Sequence, residues 1–289
     1  MEPGYHLAGI VPVAGRKLDF NMPWHDCLMP IAQDYLAVER SIIDCSYAGC
    51  ETIFVICHTD MMPLIKARLG DYVEDPVYAY RSFENFSHEV RVRIPIYYVA
   101  IHPHDRDKRD SLAWSVLYGT KTANEVVGKL SSWLVPNKFF VSFPYGVHNP
   151  EFLRSHRRVI SSPKNFSLSW QGKTVIDEEY LPFTFDYQQC LYFIDMVKEN
   201  GTARYENQDW GDRKISLPIE EQYSARFFSL NDVFYDLVLE RIEETPYYFN
   251  ISSWDGYQNY MANKPDDICR PAKRILSPHL LKGIGIENE

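Results

Sequence analysis

Four short runs of almost unbroken apolar residues, separated by stretches with helical spacing, constrain this chain more than anything else in it. They are residues 10–13 within GIVPV, TIFVIC at 52–57, IPIYYVAI at 94–101 and KFFVSF at 138–143. A strand apolar on both sides must be covered on both faces, which is the pattern of a parallel sheet sandwiched by helices. The intervening segments supply those helices. Tyr35, Val38, Ile42 and Cys45 recur at the helical period, and Ala48-Gly49 provides a stop. Pro63 opens a short helix over 64–69 that ends at Gly70. A longer helix is expected over 112–134, with a break at Gly119. The expected fold is therefore α/β, a mainly parallel twisted sheet with helices on both faces.

The second half is less regular. Asn149-Pro150 reads as a helix start, and SLSWQGKTVI as a hairpin around Gln171-Gly172. A helix over 185–198 should end at Asn200-Gly201, and NQDWGDRK at 207–214 reads as a loop. Ser229 and Asp232 form a weaker version of a capping box before VFYDLVLE. A chain of 289 residues suits one large domain over 1–262, with a core at 8–150, an elaboration at 151–246 and a closing strand and helix at 247–262. Residues 263–289, rich in Pro, Lys and Asp at their start, read as a C-terminal tail.

Composition excludes several classes. A hydrophobic fraction of 45% with 24% charged residues belongs to a folded chain. The net charge of −9 comes without any long basic run, so nucleic acid is not an expected partner. No apolar stretch approaches the ~18 residues of a membrane span, and MEPGYHLAG does not resemble a secretory leader, so a cytoplasmic protein is expected. The six cysteines form no CxxC pair and read as buried, reduced thiols.

Two segments carry candidate chemistry. The loop after the first strand holds Ala14, Gly15, Arg16 and Lys17, where glycine admits close backbone approach and the cations suit phosphate. A plain strand-to-helix connection with solvated cations has the same composition. After the third strand, HPHDRDKRD offers His102-x-His104 and Asp105-x-Asp107, which suit a metal, although the segment also reads as a solvated charged loop. There is no Gly-x-Ser-x-Gly elbow, complete P-loop or HExxH motif.

In sequence order, VAGRK, CLMPI, YLAVERSIIDCSYAGC and ETIFVICH resemble the sugar-1-phosphate nucleotidyltransferases, whose fold is the nucleotide-diphospho-sugar transferase (GT-A-like, Rossmann-like) type. YGTKTANE at 118–125 is similar to that family's Gly-Thr-Ala segment, and YYFNISSWDGYQNYMAN to its closing strand and helix. The resemblance covers residues 8–70, continues through 94–150, returns at 247–262 and fails over 160–240. It implies transfer of a nucleotidyl group from a nucleoside triphosphate to a sugar phosphate, with Mg²⁺. It places Arg16 and Lys17 in catalysis, Ala14, Gly15, Gly119 and Thr120 at the nucleotide or sugar, and Asn250 at the metal.

Three departures bear on that chemistry. The family's lysine falls on Asp26, its metal-binding aspartate falls within SFPYGVHNP where no carboxylate stands, and the signature loop is poorer in glycine. Losing one stabiliser of the transferring phosphate costs ~3 kcal/mol of barrier, unless Arg16, Lys17, Lys121 or His148 substitutes. Two further readings stay open. One is a non-catalytic structural module that assembles with itself or with a protein partner through a tyrosine-rich surface. The other is a metal-dependent glycosyltransferase using Asp105 and Asp107.

Overall fold

The computed structural model describes residues 6–15, 24–79, 93–106, 109–130, 135–208, 211–222 and 228–265. Strand β1 (Leu7–Pro12) leads through the short β2 (Pro30–Ala32) and β3 (Tyr35–Leu36) to helix α1 (Ala37–Ala48). Then follow β4 (Thr52–Cys57), α2 (Met62–Leu69), β5 (Tyr72–Glu74), α3 (Pro76–Ala79), β6 (Arg93–Ala100), α4 (Pro103–Arg106) and α5 (Leu112–Leu130). The chain continues with β7 (Lys138–Val141), β8 (Gly146–His148), α6 (Pro150–Ser155), α7 (Arg157–Ile160), β9 (Phe166–Ser169) and β10 (Phe183–Phe185). It closes with α8 (Tyr187–Thr202), β11 (Ala203–Gln208), β12 (Gly211–Ser216), α9 (Leu230–Phe234), β13 (Arg241–Glu244), β14 (Tyr248–Asn250) and α10 (Trp254–Asn263).

Eight strands form one sheet in the order β13-β9-β10-β7-β1-β4-β6-β5. The central β7, β1, β4 and β6 run parallel, while β10 and β5 are antiparallel to their neighbours. All six residues of β1 are buried, as its unbroken apolar pattern requires. One face packs Ile10, Phe54, Ile56 and Phe139 against α5, α8 and α9; the other packs Leu7, Val11, Val55 and Phe140 against α1, α2 and α6. Each fully buried Val, Leu, Ile or Phe contributes roughly 1.5–3 kcal/mol relative to exposure, so these two layers fix the sheet's position.

Several local readings hold. α1 ends at Gly49, whose φ of 97° is the left-handed stop that glycine supplies. Asn149 accepts from Glu151 N ahead of Pro150, and Ser229 and Asp232 do form a capping box. Others need correction. α5 runs through Gly119 unbroken, and α8 runs through Gly201, because the buried helix–sheet contacts outweigh the ~1 kcal/mol that glycine costs in a helix. Residues 207–208 and 211–214, read as part of a loop, belong to an antiparallel ribbon, β11 with β12, and 209–210 lie outside the described residues. Around Gln171-Gly172 there is a turn closed by a single Trp170–Lys173 bridge. No helix among the described residues is long and apolar enough to cross a membrane. Cys27, Cys45, Cys50, Cys57 and Cys190 are buried free thiols, and Cys269 lies outside the described residues.

Candidate functional site at the carboxyl edge of the sheet

From β1 the chain goes outward on one side to β4 and β6, then returns to place β7 on the other side of β1. Loops leaving β1 and β7 therefore diverge, and in an open α/β sheet the crevice between them is where ligands bind. On the β1 side, Val13 N and Ala14 N both donate to Ile56 O, at 2.9 and 3.0 Å. Ser115 Oγ donates to Ala14 O at 2.8 Å, tying the loop to α5. Gly15 has φ +84°, and a Cβ there would overlap the Ser111 carbonyl. Ser111 in turn caps α5, accepting from Trp114 N at 3.1 Å. The loop is thus laid across the first turn of a 19-residue helix. Arg16 and Lys17 follow directly but lie outside the described residues, as does Asp107.

Beside this loop, His58 Nε2 stands 3.4 Å from Asp110 Oδ1, and Asp105 stands 3.6 Å from Arg109. The Arg109 guanidinium sits 5.1 Å from the Trp114 ring centre. Asp105 is therefore already engaged by a cation on its own segment.

The β7 side closes the crevice. Tyr145 is buried, its hydroxyl 3.5 Å from Val13 O, and its carbonyl accepts from Ile251 N at 2.8 Å. Gly146 pairs with Asn250 across β8 and β14. A Cβ at Gly146 would overlap Tyr180 O, so no side chain fits there. Asn250 Oδ1 accepts from Ser252 N at 3.0 Å, and its amide donates to Glu179 Oε2 at 3.4 Å. Around Asn250 opens a polar cleft of about 410 Å³ lined by Trp170, Lys173, Glu179, Ser253 and Asn259 among others. Lys173 Nζ lies 4.0 Å from Glu179 Oε1. Of these, sequence reading found only Asn250. The rest come from segments whose turn and strand ends meet only in the folded sheet.

Behind the β7 turn lies a buried ionic cluster centred on α1, a helix whose every residue is buried. Asp44 Oδ2 accepts from Arg40 at 2.5 Å and from Ser142 Oγ at 2.8 Å, with His148 Nε2 at 3.3 Å. Arg40 also donates to Phe143 O at 2.8 Å. Burial pushes the Asp44 carboxyl up, but Arg40, His148 and Ser142 together hold it below the usual carboxylate range. His148 is thus part of the turn's support rather than a cation facing the crevice.

Gly119 and Thr120, which the resemblance places at the nucleotide or sugar, are set in the helix–sheet layer. Both lie in the middle of α5, Thr120 fully buried and Gly119 so close to the sheet that a Cβ would overlap the Ile56 side chain. Their setting is helix–sheet packing. Lys121 pairs along the helix with Glu125 at 3.8 Å. Asp26 is buried in a one-turn helix (Asp26–Leu28) capped by His25.

Neither a family model nor a curated protein matches the sequence. Solved structures match the fold. A Bacillus anthracis protein described as a glucose-1-phosphate thymidylyltransferase superposes with TM-score 0.57 at 9% identity, covering 93% of this chain and 98% of its own. An Acinetobacter baumannii UDP-glucose pyrophosphorylase gives TM-score 0.51 at 13% identity, covering 90% and 95%. The fold is that of the sugar-1-phosphate nucleotidyltransferases. Within that fold, the residues here do not fit a protein-built metal site. Tyr145 and Gly146 replace any carboxylate on the β7 side, Asn250 Oδ1 already accepts a backbone bond, and no cluster of three His, Cys, Asp or Glu occurs among the described residues.

Proposed function

We propose that the carboxyl-edge crevice binds a nucleoside triphosphate and a sugar phosphate, and that the chain transfers a nucleotidyl group between them. The observation that carries this is the Ala14-Gly15 loop lying across the capped N-terminus of α5. A helix N-terminus and close backbone approach favour an anion. Arg16 and Lys17, next in the chain, supply the positive charge. In the reaction an oxygen of the acceptor phosphate forms a bond to the α-phosphorus. The bond to the bridging oxygen breaks, and pyrophosphate leaves with the electron pair. Because nucleophile and centre are both anionic, Arg16 and Lys17 act by neutralising the charge that accumulates on the departing phosphates.

A second reading, binding without transfer, is supported by one observation: the turn after β7, where the resemblance implies a metal carboxylate, carries a buried Tyr145 and a Gly146 that admits no side chain. One experiment separates the two. A thermal-shift panel of nucleoside triphosphates and nucleotide-sugars, with and without Mg²⁺, is paired with pyrophosphate release in the presence of sugar 1-phosphates. A ligand at a hundred times its Kd stabilises by about 2.7 kcal/mol. A shift lost in Arg16→Ala together with pyrophosphate release supports transfer. A shift without release supports the second reading, and no shift with any nucleotide overturns both.

A further inference from the structure

At the opposite edge of the sheet is a second cavity that the crevice chemistry does not use. It measures about 270 Å³ and is lined by His6, Glu51, Thr52, Phe54, Pro95, Tyr97, Val126 and Val127. Its origin is geometric. Helix α5 packs on β1 and β4, and β6 is the next strand outward, so Pro95 and Tyr97 of β6 border the cavity opposite Val126 and Val127 of the helix. Tyr97 is 43% exposed and stacks on Phe54 with ring centres 5.3 Å apart and planes inclined by 26°, giving the cavity an aromatic wall. Its polar groups are concentrated at the β4 start. Glu51 Oε2 lies 3.3 Å from His6 Nε2, with Glu51 largely in solvent. Thr52 Oγ1 is buried with no hydrogen-bond partner among the described residues.

We propose that this cavity is a binding site for a small aromatic amine. The ring would stack on Tyr97 between Pro95 and Val126, and the ammonium would face the Glu51 carboxylate. The volume lies just below the roughly 300–1,000 Å³ of drug-sized pockets, which limits the ligand to about one bicyclic ring. An aromatic wall favours a planar ring, and the carboxylate at the rim favours a cation over an anion. The site is separate from the crevice: Ser111 and Val126 are 15 residues apart on one helix, about 22 Å at 1.5 Å per residue. It does not rest on the nucleotidyl-transfer reading.

The test uses the full chain with tryptamine, indole and indole-3-acetate as probes, followed by calorimetry and by ring-proton NMR transfer to Tyr97. Tryptamine is expected to bind best, about threefold tighter than indole, with indole-3-acetate weakest. Glu51→Gln should remove the preference for the amine while keeping indole binding. Val126→Trp, at a position already 43% exposed, should fill the cavity and abolish binding of all three without loss of fold. Equal binding of all three probes, binding unaffected by Val126→Trp, or no binding at all would overturn the proposal. So would light scattering that shows a dimer dissolved by Val126→Trp, since a second copy would then own the face. A nucleotide response that persists in these variants keeps the outcome independent of the crevice.

Discussion

Gly15 and Ser111 touch backbone to backbone: the glycine, at φ +84°, lies so close to the Ser111 carbonyl that no side chain fits between them. The two residues are 96 positions apart, and their contact joins the loop after the first strand to the helix cap beneath it. Gly15→Ala should therefore cost more than about 2 kcal/mol. The left-handed backbone alone accounts for roughly 1–2 kcal/mol, and the overlap with a backbone that cannot rotate away adds to it. Urea denaturation reads the loss; a variant as stable as the parent would mean the loop does not lie on α5.

Gly119→Ala isolates a different cause. Residue 119 lies in a regular helix, so alanine gains ~1 kcal/mol of helix propensity but overlaps Ile56. Overpacking of ~1–3 kcal/mol should leave a net loss. Adding Ile56→Ala opens the space, so the double variant should lose less than the sum of the singles. A double-mutant cycle with zero coupling would show that the two residues do not meet.

Asp44→Asn removes the anion at the centre of the Arg40–Ser142–His148 cluster and leaves a buried guanidinium unpaired. The expected cost is about 3–5 kcal/mol. The pH dependence has a definite sign. The folded-state pKa of Asp44 is depressed, so its contribution is complete above the ordinary value of 3.8 and is lost as pH falls through the lower folded value. The stability gap between parent and variant should thus narrow below pH 3.8. A gap that stays constant there would remove Asp44 from the cluster.

Lys138 gives the alkaline counterpart. Its side chain is buried at the start of β7, where it donates to Ser162 O at 3.0 Å and Lys164 O at 2.6 Å. Burial pushes its pKa down to about 8, against opposing pulls from Glu240 and Asp186. A depressed lysine adds stability that is complete above the ordinary 10.5 and lost as pH falls through about 8. Relative to Lys138→Met, the parent should gain stability as pH rises across that window.

Much of the frame was legible because it is local. The alternation of apolar runs and helical periods named the four parallel strands, TIFVIC at its exact bounds of 52–57, and the helices between them. Gly49, Asn149 and Ser229 marked their element ends, because caps and stops depend on residues only a few positions apart. The loop at Ala14-Gly15 was legible as a ligand candidate for the same reason.

What only the tertiary structure decided involves partners far apart in the chain. Gly119 read as a break and a ligand contact, yet it is a close approach to Ile56, and nothing within its own helix signals that strand. Glu179 and Lys173 sit in a stretch with no family likeness, and they join Asn250 in one cleft only because β9, β10 and β14 bring their ends together. Gly146 looked like a missing carboxylate; the fold shows a backbone crossing at Tyr180 that admits no side chain. A sequence records the period of each element through short-range sterics and burial. Which element faces which is set by packing across the whole sheet.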